Sequence, residues 1–470
     1  MSEPVISTAL SSQQQLERLG YKQELSRSVT TFDLLVYGLI FMVPIAPWAI
    51  FGTVYNEAQG MVPLVYLVGL VAMIFTALSY AQMAKAIPLA GSVFSYVGKG
   101  IHPNLGFFAG WLMLLDYLLV PTLLYVFAAE SMIGIFPGSE RWMWALLFVA
   151  VNVVINMSGV SSLKWMNRVF LVMELAFIVA FFVIGIRALT DGATPGSSFS
   201  ITPLWDPATV SAPLLATALS IAVLSFLGFD GISTMAEEST GGRGSAGRAM
   251  VLALVIVATL FITQTWLASL LAGPYQPIPE DRVGNAFFDI IGTIASTPVM
   301  NAFFVCNVLA VGIANAMAAQ AATSRLLYSM SRDGQLPKFL RHINTRKVPS
   351  YAILFVGGLS AVLVLFFVGQ ISLISSMVNF GALTGFLLLH LSVVVFWIGR
   401  RKSRNYLVHL AFPVIGFAII GYVLLNAETQ AKIAGLVWIG VGALVFAYYR
   451  RTGRSTELAE DHEDITVSSH

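Results

Sequence analysis

The residues of this chain best suited to chemistry are acids set inside apolar stretches. Asp230 lies in LSIAVLSFLGFDGISTMAEEST, between Gly228 and Gly231. A charged side chain at mid-membrane costs about 2.5–3.5 kcal/mol on insertion scales, so an acid kept there is by default a candidate functional group. Three roles are open to Asp230: pairing with a substrate ammonium, carrying a proton, or bonding to a neighbouring helix. Glu237 and Glu238 follow two turns later. They suit either an ion-pair gate with basic residues of the loops or a solvated helix end. Asp116 stands beside Tyr117 in GWLMLLDYLLVP, with Glu130 further along, and Glu174 stands in RVFLVMELAFIVAFF. Asn301, Asn307, Asn315 and Asn379 also fall in apolar stretches. Such amides mostly bond to neighbouring helices, at about 0.6 kcal/mol each, and spacing alone makes none of them a ligand.

Enzymatic chemistry finds little support. There is no GxxxxGK[ST] phosphate loop and no HExxH pair. Of the six histidines, His102, His342, His390, His409, His462 and His470, most sit at loops, block ends or the tail. Cys306 is the one cysteine and lies inside an apolar block, so neither an intrachain disulfide nor a cysteine metal site can form. No metal and no cofactor is expected.

The elements that must position the acids are membrane helices. The chain is 57% hydrophobic and 11% charged, with a mean hydropathy of +0.80, against about 25% charged residues in a soluble domain. The apolar residues gather in blocks long enough for a hydrocarbon core of roughly 30 Å. They fall near 32–54, 62–85, 106–136, 142–160, 166–188, 212–235, 249–273, 286–319, 350–368, 371–398, 407–425 and 431–449. Residues 320–349 read as mostly a basic loop. With twelve crossings and the N-terminus inside, every Lys and Arg except Arg141, Arg187, Arg282 and Lys432 falls on an inside segment. That asymmetry is the positive-inside rule. The expectation is an all-α integral membrane protein: a cytoplasmic tail over 1–30 without the apolar core of a cleaved signal, a transmembrane region over 31–450, and a cytoplasmic tail over 451–470. Backbone in lipid must be hydrogen-bonded internally, and the short alternating strands of a barrel are not seen.

Two blocks carry breaks. The first contains Gly38, Pro44, Pro47 and Gly52. A proline removes a helix donor and clashes with the preceding turn, so Pro44 and Pro47 should open the helix between Met42 and Ala46. The sixth contains Gly228 and Gly231 around Phe229 and Asp230. Interrupted helices at matching places in two halves of a chain are the best sequence pointer to a transport site. The first and sixth blocks are five apart, an odd number. Two five-helix repeats would therefore lie inverted in the membrane, with two further helices outside them.

These stretches together resemble the amino acid–polyamine–organocation permease superfamily over about residues 30–450. The resemblance is carried by PLAGSVFSYVGKGI (Pro88 to Ile101), GWLMLLDY (Gly110 to Tyr117), SFLGFD and EES within Ser225 to Ser239, SRLLYSMSRDGQLP (Ser324 to Pro337) and VNFGALTGF (Val378 to Phe386). Among the subgroups it is most similar to the putrescine importers, which share Gly38, Pro44, LLDY, SFLGFD and NFGAL. The resemblance implies two inverted five-helix repeats and a site between the unwound parts of the first and sixth helices. It carries those parts onto Phe41 to Trp48 and Phe226 to Asp230, and it implies uptake driven by a proton gradient, or exchange. Three features depart from the family pattern. MVPIAPW replaces the glycine-rich break whose amides hold a carboxylate in amino-acid-selective members. Ala49 stands where the putrescine importers have an Asp. Glu174 matches a lysine of several proton-coupled members.

The resulting expectation is a secondary transporter in the plasma membrane (the cell's inner membrane), importing a small amino acid or an organic amine such as putrescine and coupled to protons, with an obligate exchanger as the alternative and a channel or transporter-derived sensor as the reading from a different class. A channel would show pore-lining rings of charge, and none are seen. The expected substrate-binding residues are Met42, Val43, Pro44, Ile45, Ala46, Trp48, Asp116, Tyr117, Phe226, Gly228, Phe229 and Asp230. Asp230 or Asp116 would meet an ammonium, while Trp48, Tyr117, Phe226 and Phe229 would give cation–π or apolar contact. Glu174 is the expected coupling residue, and Glu237 and Glu238 the expected gate. The expected partners are the cargo, protons and the lipid bilayer, with no nucleic acid.

Overall fold

The computed structural model describes residues 22–452, apart from 23, 137, 194, 195, 243, 281 and 428. Most of the two terminal tails inferred from the sequence therefore lies outside the described residues. The described chain is helical, and its one β-bridge joins Val29 to Ser239. In order the helices are α1 (Thr31–Met42), α2 (Pro47–Glu57), α3 (Val62–Ala86), α4 (Ser92–Gly100), α5 (Pro103–Ile135), α6 (Arg141–Met157), α7 (Val160–Thr190), α8 (Ala212–Ala222), α9 (Ser245–Ala272), α10 (Ala286–Ile294), α11 (Thr297–Leu309), α12 (Ala316–Arg332), α13 (Ser350–Phe367), α14 (Ile371–Val393), α15 (Phe412–Leu425) and α16 (Thr429–Arg451). Among the described residues nine helical spans are long and apolar enough to cross a membrane, or up to eleven if each of two bent pairs is one span. The protein is a multi-pass membrane protein.

The bent pairs are the two blocks in which breaks were expected. α1 begins on a capping box: the Thr30 side chain accepts from the Asp33 amide and the Asp33 carboxylate accepts from the Thr30 amide, both at 3.1 Å. It ends at Val43, whose φ of 54° leaves the helical region. Pro44 follows and cannot donate, and Pro47 then opens α2, where its missing N–H is no loss. α1 and α2 meet at 52°. In the sixth block α8 tightens into a 3-10 segment, Val223–Phe226, and the chain turns at Gly228 with φ 115° before a second 3-10 segment, Phe229–Glu238. A β-carbon on Gly228 would be strained by that φ and would stand 2.7 Å from the Phe41 carbonyl oxygen. The two breaks thus press directly on one another.

The eighth block differs from its expected bounds. It divides into α10 and a span from Thr297 that continues to Arg332. The reading of 320–349 as mostly loop is corrected for its first part, which is helical through Arg332. AMAAQAATSRLLYSMSR is low in hydropathy because it faces protein rather than lipid, and Ala316 through Ser331 are buried. Partway along this span a π-helical bulge, Ala310–Asn315, joins α11 to α12. The Asn152 amide of α6 donates to the Gly312 carbonyl at 2.8 Å, supplying a partner in the distorted turn. Small residues bring helices close elsewhere, as in membrane bundles generally. α14 crosses α5 so tightly that a β-carbon on Gly381 would lie 2.7 Å from the Asp116 amide nitrogen. α16 is tied to α5 by two stacked indoles, Trp111 and Trp438. Each donates to the other's backbone carbonyl, at 2.9 and 2.7 Å.

Candidate functional site

The break in the first block, the break in the sixth, α5 and the bulge before α12 surround one central cavity of about 90 Å³. Of the residues expected from the sequence, Met42, Val43, Ala46, Asp116, Tyr117, Gly228 and Asp230 line it. Pro44, Ile45, Trp48, Phe226 and Phe229 do not. The Trp48 ring stacks on Phe287 with centroids 4.7 Å apart. Its indole donates to Gln264 at 2.6 Å, and Gln264 in turn donates to the Pro44 carbonyl at 2.7 Å. Gln264 therefore partners a carbonyl in the break. Phe226 packs on Tyr66 and Phe261, and Phe229 on Tyr80 and Phe386. These rings shape the walls around the cavity.

Asp230 is held in place. Its carboxylate accepts the Tyr117 hydroxyl at 2.6 Å and the Gly228 amide at 3.3 Å. Thr323 of α12 donates to the Tyr117 carbonyl at 2.6 Å, which ties α5 to α12 beside the acid. Asp116 is also buried and lines the same cavity, and among the described residues no donor reaches its side chain. Asn315, at the end of the bulge, lines the cavity with its carbonyl oxygen buried and unpartnered. Sequence spacing gave no reason to single it out from Asn301, Asn307 or Asn379. Its signal is the bulge, a distortion found often at functional sites.

The electrostatic character is one-sided. Among the described residues no Lys or Arg lines the cavity. Three amides at the breaks are already engaged: Val43 donates to Ile40, Ala46 to Val43 and Leu227 to Leu224. The Gly228 amide and Tyr117 hydroxyl are directed at Asp230, and Ser225 is hydrogen-bonded with Tyr66 at 3.2 Å. What remains presented to a ligand is mainly acceptor oxygen and apolar surface.

Glu174 lies elsewhere. It is fully buried on α7 behind the break and neither carboxylate oxygen has a hydrogen-bond partner of ordinary geometry. The Ile45 amide is the polar group that acts on it. Glu237 and Glu238 are not a solvated helix end. Glu238 forms a buried, two-pronged ion pair with Arg325. Glu237 accepts from both terminal nitrogens of Arg332, at 2.8 and 2.9 Å, and from the Ala90 amide at 2.9 Å. Residues preceding α1 lie across the same end: the Val29 amide donates to the Glu238 carbonyl at 3.0 Å, and the Tyr328 hydroxyl to Glu24 at 2.6 Å.

Comparison with known proteins places the chain. It is 28% identical to the low-affinity putrescine importer PlaP of Escherichia coli (strain K12), covering 94% of this chain and 97% of that one. It is 23% identical to the branched-chain amino acid permease BcaP of Lactococcus lactis, over 90% and 94% of the two chains. It is 24% identical to the methylthioribose transporter of Bacillus subtilis, over 91% and 94%. The cargoes in these names differ at comparable identity, so cargo must be read from the site itself. The family model described as amino acid permease matches residues 29–448, and this chain belongs to that family of membrane permeases.

Proposed function

We propose that this permease is a secondary transporter that imports small organic amines. The observation that carries the reading is a pair of buried carboxylates, Asp116 and Asp230, facing a cavity that no Lys or Arg lines and whose neighbouring amide donors are largely engaged. An ammonium group supplies three N–H donors and a positive charge, which those acceptors lack. The carboxylate of an amino acid would need donors, and here Pro44 has none while the Val43, Ala46, Leu227 and Gly228 amides are occupied. The printed name of the Escherichia coli relative, a putrescine importer, agrees with an amine cargo.

In this mechanism Asp230, steadied by Tyr117 and Gly228, binds the ammonium together with Asp116, between the broken parts of the first and sixth crossings. Counting each bent pair as one crossing and adding α6 gives the twelve crossings expected from the sequence, arranged as two inverted five-helix repeats and two further helices. Both termini then lie on the cytoplasmic side, in the cell membrane. The Glu238–Arg325 and Glu237–Arg332 pairs form the inner gate, closed in this conformation. Glu174 couples transport to protons. Taking up or losing a proton there changes by one unit the charge buried against the break at Ile45, and so biases how the break packs.

The test is uptake of labelled putrescine into proteoliposomes under an imposed inward proton gradient, with amines and amino acids as competitors. Saturable uptake blocked by amines is the expected result. Uptake blocked by amino acids and indifferent to amines would refute the amine reading. Transport that requires internal substrate would replace proton-driven import with exchange.

A further inference from the structure

Away from the central cavity, α3 and α9 form a groove of about 720 Å³ on the outside of the bundle. The two helices run antiparallel and touch. A β-carbon on Gly247 would lie 2.7 Å from the Ala81 Cα, and one on Gly244 would lie 3.8 Å from the Lys85 side chain. α3 presents Leu78, Ala81, Gln82 and Lys85 to the groove, which is one face at helical spacing. α9 presents Gly244, Gly247, Arg248, Val251, Leu252 and Val255. Because the helices run in opposite directions, Lys85 in the last turn of α3 and Arg248 near the start of α9 reach the same end, and both are exposed. Gln82 accepts from the His409 ring at 3.3 Å, which leaves its N–H donors for the groove. α9 opens at Gly244 without a side-chain cap, so the positive end of a 28-residue helix also lies there. Among the described residues no Asp or Glu lines the groove.

From that cationic end both walls turn apolar. Lys85 to Leu78 and Arg248 to Val255 are each roughly 10 Å of helix, and Leu252 and Val255 are 50% and 39% exposed. We propose that this groove binds a phospholipid with an anionic headgroup. Its phosphate lies between Lys85 and Arg248 at the start of α9, and an acyl chain runs along Val251, Leu252 and Val255. Basic pockets between membrane helices suit anionic headgroups. Two exposed cations alone would be an ordinary membrane-edge pair, but here they head a groove that continues as hydrocarbon-facing surface. A free phosphate would leave that length unused, and a zwitterionic lipid would bring its own cation to a site that already holds two. The site lies on the side of the Glu238–Arg325 pair: the Ser245 hydroxyl of α9 is hydrogen-bonded with that of Ser239, next to Glu238, at 2.9 Å. The lipid is therefore drawn from the leaflet on that side.

Native mass spectrometry of the purified full-length protein tests this, with phosphatidylglycerol and phosphatidylcholine of identical acyl chains as probes. The wild type is expected to hold phosphatidylglycerol at least tenfold more tightly than phosphatidylcholine. Lys85→Gln with Arg248→Gln should weaken phosphatidylglycerol at least fivefold. Arg450→Gln with Arg451→Gln, which removes two exposed cations from the end of α16, should leave it unchanged. Val251→Trp keeps both cations and fills the apolar half. It should also weaken the lipid at an unaltered melting temperature, and it carries the test should the double variant fail to fold. Equal binding of the two lipids overturns the proposal, as does an equal loss in the α16 variant. Displacement of phosphatidylglycerol by an equal concentration of glycerol 3-phosphate would make this a site for soluble phosphate and overturn the lipid assignment.

Discussion

At the scale of single residues, the two acids of the cavity should respond differently to substitution. Asp230 accepts from Tyr117 and Gly228, so Asp230→Asn removes the charge and also sets an amide against one of those donors. Uptake is expected to fall at least about a hundredfold, since removing one side of a desolvated charge pair costs about 3–5 kcal/mol. Tyr117→Phe removes one hydrogen bond to a charged group, worth about 1.5–3 kcal/mol, and should weaken amine binding by roughly ten- to a hundredfold. Asp116→Asn breaks no contact among the described residues, so the variant should melt like the wild type while losing amine affinity. A large fall in melting temperature would instead assign Asp116 to packing. Both acids were legible in the sequence because an acid in an apolar stretch has an insertion cost that something must justify. Asn315 was not, because an amide in a membrane helix ordinarily finds a neighbour. Trp48, Phe226 and Phe229 were read as cargo contacts, yet their rings pack in the walls. The direction of a ring beside a broken helix depends on how far each half has turned, which residue spacing does not determine.

At the scale of elements, the positions of both breaks followed from proline and glycine chemistry, but their mutual contact did not. Gly228 faces the Phe41 carbonyl and Gly231 faces the Phe41 ring, where a β-carbon would lie 2.3 Å from a ring atom. Gly231→Ala should therefore push Phe41, itself a cavity wall, toward the cargo and abolish uptake with a modest loss of stability, read as transport against melting temperature. The long helix ending at Arg332 was obscured for a related reason. Hydropathy reports what faces lipid, and α12 is enclosed by protein, so an alanine- and serine-rich sequence there reads as loop. Its burial places Arg325 against Glu238 in an ion pair that solvent hardly reaches. Glu238→Gln leaves Arg325 buried without its counter-charge, which is expected to destabilise the closed inner end by about 3–5 kcal/mol. Glu238→Asp retains the charge and should retain much of the closure.

At the scale of the whole molecule, the proposed mechanism makes these local features one conformation of a transport cycle. At one end two acid–base pairs and the segment before α1 close the bundle, while the central cavity adjoins a second, larger one past Ala49 and Ile50. In the proposed topology the closed end faces the cytoplasm, so the central site should be reached from outside. Cys306 is the protein's one cysteine, so a Cys306→Ala background carrying Ile50→Cys provides a single reporter on the wall shared by both cavities. In right-side-out vesicles that reporter should react with a membrane-impermeant maleimide, and an amine that fills the central cavity should slow the reaction. Adding Glu238→Gln should transfer reactivity to reagent presented on the cytoplasmic face, because it removes one of the two pairs that hold that end shut. Reactivity that stays external after the pair is broken would mean that Glu238 and Arg325 brace α12 without governing access. The gate would then have to be sought in Glu237 and Arg332, a pair whose arginine is less completely buried and whose partnership could break at lower cost.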